Sequence, residues 1–131
     1  MKLLLDTHVW LDALRAPNRL SRATRREIYN PKNELYLSPL SIWEAGLLVR
    51  RGKIRIGSTF TGWVRESLQQ LVVLEAPITF SVVAEASGIQ LPQPDFGDVF
   101  LAATAFVFGL TLVTADTQLL QCSWRKTFPD R

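Results

Sequence analysis

Several kinds of residue are scarce in this chain. Among 131 residues there are one cysteine, one histidine and one methionine. A lone Cys122 excludes an internal disulfide framework and suits a reducing cytoplasm. No His/Cys set has the spacing of a zinc site. No Ser/His or Cys/His arrangement suggests a protein nucleophile, and Cys122 has no partner suggested by the sequence. No run is apolar for long enough to span a membrane. Lys2 and the Leu3–Leu5 run look like the start of a signal peptide, but Asp6 and Asp12 interrupt the apolar stretch and no small-residue cleavage site follows. Repeats, low-complexity tracts and linkers are missing as well. These absences lead to the expectation of one domain over residues 1–131, in the cytoplasm and not in a membrane.

The rest of the composition is globular, with 47% hydrophobic and 21% charged residues. A net charge of +3 is compatible with a nucleic-acid partner but too small to argue for one. Short apolar runs of strand type occur at Lys2–Leu5, Glu34–Leu37, Leu71–Leu74 and Leu110–Val113. Runs apolar on both faces are typical of strands covered on both sides by helices. Helical patterns lie between them: Thr7–Leu14, Ser21–Tyr29, a helix opened by Ser38–Pro39 and closed near Gly52, Ser58–Gln70, Thr79–Ser87, and Asp98–Phe108 before Gly109. A last short helix is expected from Asp116, and the tail WRKTFPDR is read as an edge strand or a loose end. Strands alternating with helices predict an α/β fold around a parallel sheet.

The acids fall in a pattern on this framework. Asp6 follows the first strand and Asp116 follows LTLV. Asp98 begins the helix after LPQPDF, with Asp95 one turn before it, and Glu44 lies early in the helix after the second strand. In open parallel sheets, ligands bind outside the carboxyl ends of the strands. Taken singly, Asp6, Asp98 and Asp116 read equally well as helix caps or dipole partners, and Glu44 can cap locally with Ser41. Taken together they are harder to treat as independent caps. Four carboxylates at one edge repel unless some are protonated or a cation sits among them. Oxygen-only donors suit Mg²⁺ or Mn²⁺, which points to metal-assisted hydrolysis of a phosphodiester.

LLLDTHVWL, LYLSPLSIWEAGLLVRRGKI, DFGDVFLAATA and TLVTAD resemble, in order and over nearly the whole chain, the sequence blocks of the PIN-domain family, in particular its VapC-type toxins. The resemblance implies an α/β/α sandwich with about five parallel strands. It also implies an acidic quartet that binds Mg²⁺ or Mn²⁺ and cleaves RNA. It assigns Asp6, Glu44, Asp98 and Asp116 to that quartet, Asp95 as a possible additional acid, and Thr7 and Thr114 as hydroxyls that orient carboxylates or waters. Val99 stands where similar toxins usually carry arginine, removing a positive charge from beside the cleft. His8 is read as a structural hydrogen-bonder on a packed helix and is left out of the catalytic set.

RNA is the implied substrate. Arg22, Arg25 and Arg26 on one helix, Arg50, Arg51, Lys53 and Arg55 in a second group, and Arg125 with Lys126 are candidate phosphate contacts or, equally, solvated faces. Trp10 and Trp43 read as core or interface residues, and Trp63 as a partner-facing one. The implied protein partners are a cognate antitoxin and a second copy of the chain, in a homodimer or a heteromeric complex. Two rival readings stand beside the toxin: a housekeeping RNA-processing nuclease, and a PIN scaffold that only binds.

Overall fold

A computed structural model of the chain describes residues 1–91 and 95–116, together with the strand at 127–129. The elements in chain order are β1 (Lys2–Leu5), α1 (Thr7–Arg15), α2 (Arg22–Ile28), β2 (Glu34–Leu37), α3 (Pro39–Arg50), α4 (Phe60–Gln70), β3 (Leu74–Glu75), α5 (Phe80–Ala86), α6 (Phe96–Phe108), β4 (Thr111–Thr114) and β5 (Thr127–Pro129). The five strands form one sheet in the order β3-β2-β1-β4-β5, and every pairing is parallel. None of the helices among the described residues is long and apolar enough to cross a membrane.

The apolar strands are buried on both faces because successive side chains point to opposite sides of the sheet. Leu3 and Leu5 of β1 pack with Leu35, Leu37, Val113 and the apolar faces of α1 to α4. Leu4 and Leu112 point the other way, against Leu101, Ala102 and Ala105 of α6. Val82 and Ala86 of α5 meet Ala103 of α6 beyond them. The result is an α/β/α sandwich. Local chemistry sets the helix ends. Ser38 accepts from the Leu40 N–H ahead of α3, with Pro39 in the first turn, and Gly109 closes α6 in the left-handed conformation at φ 64°.

Three expectations change here. The apolar run Leu71–Leu74 is not a strand throughout: Leu71 closes α4, donating its N–H to Ser67 O, and only Leu74 and Glu75 pair with Tyr36 and Leu37. The run lies at the sheet edge beside a β2 that ends at Leu37, so little ladder is available to it. The helix expected from Asp98 begins at Phe96, because Asp95 takes the N-cap and leaves Asp98 in the first turn. The two outer tryptophans exchange roles. Trp63 packs edge-on to Trp10 with ring centroids 5.8 Å apart and stacks on Phe60, whereas Trp43 is 57% exposed. The edge strand expected from the tail is present as β5, parallel to β4. The helix expected from Asp116, and Cys122, Trp124, Arg125 and Lys126, lie outside the described residues.

Candidate functional site

β1 and β4 are neighbours in the sheet, but the chain leaves β1 toward β2 on one side and leaves β4 toward β5 on the other. Such a reversal opens a crevice at the carboxyl ends of the two strands. Asp6 is the first residue after β1, and Asp116 lies two residues after β4. A cleft of about 400 Å³ opens between them, lined by Asp6, Asp95, Asp98, Asp116, Glu44, His8, Asp12, Gly97 and the apolar Val9, Leu101 and Ala115.

Hydroxyl groups hold two of the carboxylates. The buried Thr114 donates to Asp6 Oδ2 at 2.6 Å and accepts from the Asp116 N–H at 3.0 Å, tying the ends of β1 and β4 together. The other oxygen, Asp6 Oδ1, accepts from the His8 N–H at 3.3 Å. Asp6 is therefore both a helix cap and a cleft acid. Thr7, also buried, donates to Glu44 Oε1 at 2.8 Å, and its oxygen lies 2.8 Å from Ser41 Oγ. This hydroxyl is the partner an acid on an otherwise apolar helix requires. Asp95 Oδ1 accepts from the Asp98 N–H at 3.2 Å, so Asp95 caps α6 and fixes the backbone that carries Asp98.

The crowding of acids shows in their protonation. Burial, then the charges of Asp116 and Asp95, a hydrogen bond with Asp116 and the charge of Asp6 push the Asp98 carboxyl up from 3.8 to about 7. A carboxyl that donates a hydrogen bond must carry its proton, so the contact with Asp116 favours the protonated form of Asp98. Burial also raises Glu44; the Thr7 hydrogen bond opposes this, and the charges of Asp6 and Asp95 add to it.

Between the two values of Asp98 the folded protein keeps a proton that the unfolded chain releases. Its folded-state stability therefore falls as pH rises through that window. Melts in chelator from pH 4 to 8 are expected to show this decline. Asp98→Asn, which cannot ionise, is expected to flatten it and to melt above the parent near neutral pH. A parental decline that survives in Asp98→Asn would place its source elsewhere.

No three or more His, Cys, Asp or Glu side chains among the described residues are drawn tightly enough together to form a closed ligand cage. The acids ring the cleft instead. This fits a hard cation that keeps several waters and takes only one or two carboxylates directly. The side-chain ligand atoms lining the cleft are carboxylate oxygens, apart from the single imidazole of His8.

Besides the apolar Val9, Leu101 and Ala115, three lining residues were not singled out from the sequence as site residues. Asp12 sits four residues after His8, on the same face of α1, and that spacing was the available signal. His8 is exposed and lines the cleft instead of packing into the core, which corrects its reading as a structural residue. Gly97 is the third. A Cβ there would sit 3.1 Å from Glu44 Oε2 and 3.2 Å from Asp95 Oδ1. Val99, which stands where similar toxins usually carry arginine, packs with the α5–α6 side chains and does not line the cleft. None of Arg22, Arg25, Arg26, Arg50, Arg51 and Lys53 lines the cleft; all but Arg25 are exposed, and Arg25 donates to Asn18 Oδ1.

The Gly97 contact yields a separable expectation. Alanine favours a helix over glycine by up to about 1 kcal/mol. The methyl, however, crowds Asp95 Oδ1, the α6 cap, whose loss costs about 1 kcal/mol, so Gly97→Ala should melt within a few degrees of the parent. The added methyl should displace Glu44 and Asp95, and small displacements of reacting groups are costly. The RNA cleavage that the sequence resemblance implies is expected to fall about tenfold, read by melting and cleavage assays on the same preparation. Parental activity would show that the close approach has no role.

A family model described as PIN domain matches residues 3–124. No curated protein sequence matches the chain. Among solved structures, a chain of VapBC2 from Rickettsia felis, bound to a DNA fragment from its promoter, is similar at 16% identity and a TM-score of 0.67, with 100% of each chain covered. A chain of DNA-bound VapBC from Salmonella typhimurium is similar at 16% identity and a TM-score of 0.67, with 98% of each covered. A chain of VapBC-1 from nontypeable Haemophilus influenzae is similar at 15% identity and a TM-score of 0.65, with 98% of each covered. Likeness at these identities speaks to the fold.

Proposed function

Since the chain belongs to the PIN-domain family, we propose that it is a metal-dependent endoribonuclease and the toxin of a toxin–antitoxin pair, built as a single domain over residues 1–131 and acting in the cytoplasm. One observation carries the nuclease reading: acids from the ends of β1 and β4 and from α3 and α6 line one cleft at the switch point of the sheet. The likeness in fold to chains of VapBC assemblies supports a cognate antitoxin as partner. Exposed Trp43 and Phe80 offer apolar surface for that partner or for a second copy of the chain.

Asp6, Glu44, Asp98 and Asp116 would hold Mg²⁺ or Mn²⁺, one or two of them directly and the others through its waters. When bound, the ion supplies water activation for in-line attack at phosphorus and offsets the charge that develops there. Thr114 aims Asp6 and holds the Asp116 backbone, and Thr7 aims Glu44. Asp95 supports Asp98 through the helix cap. No protein nucleophile is needed. An acidic cleft repels phosphate, so Arg22, Arg25, Arg26, Arg50, Arg51 and Lys53 are proposed to hold flanking RNA by sequence-independent contacts.

The test is incubation of purified, antitoxin-free protein with total RNA, with Mg²⁺ or Mn²⁺ and with chelator, followed by mapping of the cleaved ends. Discrete cuts that need the cation are expected. RNA left intact in both cations, or cut equally in chelator, would overturn the proposal.

A further inference from the structure

We propose that Ser41, which is outside the acidic set, is a positioning residue that fixes the Glu44 carboxylate through Thr7. Its consequence for catalysis rests on the nuclease reading above. Ser41 and Glu44 lie three residues apart on α3 and so share a face of the helix. Thr7, at the start of α1, reaches both: its oxygen is 2.8 Å from Ser41 Oγ and 2.8 Å from Glu44 Oε1. Ser41 is 0% and Thr7 2% exposed, so bulk water does not replace the contact between them.

Proton counting gives the chain a direction. A hydroxyl carries one proton, and a carboxylate carries none to give. Thr7 donates its proton to Glu44, so Thr7 is the acceptor in its contact with Ser41. The order is Ser41 O–H to Thr7 O–H to Glu44. Each donated bond polarises the next, which strengthens the bond that reaches the carboxylate. Ser41 also sets the rotation of the Thr7 hydroxyl, because the Thr7 lone pair must face Ser41 while its proton faces Glu44. On the far side of Glu44, Oε2 lies where a Gly97 Cβ would come within 3.1 Å. The carboxylate is thus held at one oxygen, and the missing Cβ at Gly97 leaves room for the other.

Three variants separate hydrogen bonding from space filling. Ser41→Ala removes the donor. Ser41→Cys fills the same space with a thiol, a weak donor. Thr7→Val removes the intermediary. Mn²⁺ binding is measured by calorimetry on RNA-free protein, and Glu44 is located in metal-free crystal structures of parent and variants. RNA cleavage supplies kcat and KM separately. Loss of a hydrogen-bond partner behind a metal ligand characteristically costs roughly tenfold or more in affinity or activity. Ser41→Ala and Ser41→Cys are both expected to weaken Mn²⁺ binding by that order, to lower kcat with little change in KM, and to leave Glu44 displaced or disordered. The double variant with Thr7→Val is expected to lose no more than Thr7→Val alone, because Ser41 acts through Thr7.

Glu44 in its parental place in Ser41→Ala would overturn the proposal, as would parental behaviour of Ser41→Cys or additive losses in the double variant. A parent that binds no Mn²⁺, with Glu44 still released in Ser41→Ala, would retire the metal reading and leave the positioning role standing.

Discussion

Asp6→Asn is expected to lower RNA cleavage by at least about a hundredfold while leaving the fold in place. The Asp6 carboxylate makes two hydrogen bonds of different kinds. Oδ1 caps α1 through the His8 N–H, and Oδ2 accepts the Thr114 hydroxyl at 2.6 Å. Asparagine is as good an N-cap as aspartate, so α1 keeps its start. The amide has one oxygen where the carboxylate had two, so one of the two donors loses its acceptor. If Thr114 is that donor, its buried hydroxyl must turn elsewhere, at a cost of about 1–3 kcal/mol. Removing one of several like charges in the cleft offsets part of that cost. The variant should therefore fold and melt within a few degrees of the parent. Activity is a different matter, since the amide removes the negative charge that a hard cation requires. Circular dichroism and cleavage assays on the same preparation would check both halves. Cleavage at the parental rate would reduce Asp6 to a helix cap.

Divalent cations are expected to raise the melting temperature of the parent substantially. The metal-free cleft is strained electrostatically: Asp98 is pushed up to about 7 by burial and by Asp116, Asp95 and Asp6, and Glu44 is raised as well. A cation that binds only the folded protein stabilises it by about 2.7 kcal/mol at a hundred times its dissociation constant. For a chain of this length that is a rise on the order of 10 °C. Asp6→Asn and Asp116→Asn should show little of this rise, because each lacks a ligand. In chelator Asp116→Asn is expected to melt no lower than the parent. Its Thr114 contact runs through the backbone N–H and survives the substitution, while one source of repulsion is gone. The alternative, that these acids are separate helix caps, predicts no response to cations and neutral or mildly destabilising substitutions. A parental melting curve unmoved by both Mg²⁺ and Mn²⁺ would remove the metal from the site, and the nuclease reading would fall with it.

What the sequence could determine by itself was whatever depends on near neighbours. The apolar runs at Lys2–Leu5, Glu34–Leu37 and Leu110–Val113 announce strands because no face of them is polar. Ser38–Pro39 and Gly109 announce helix ends through capping and backbone preference. Alternation of the two element types is enough for a parallel α/β sheet, and hence for Asp6 and Asp116 to leave strands at the same edge. The tertiary structure decided what lies between distant residues. Thr114 meets Asp6 across 108 positions, and Thr7 meets Glu44 across 37. Neither distance nor donor direction is written in any local pattern. The close approach of Gly97 to Glu44 and Asp95 is invisible until α6 is set beside α3. Asp95 and Asp98 both read as helix starters, and only the backbone showed that Asp95 takes the cap and leaves Asp98 to face the cleft. Trp43 sits in an apolar stretch of the chain, whereas Trp63 is followed by Arg65 and Glu66, yet their burial is the reverse of what that suggests. Helical periodicity marks a face but does not say whether another element covers it, so only packing could bury Trp63 against Trp10 and leave Trp43 in solvent.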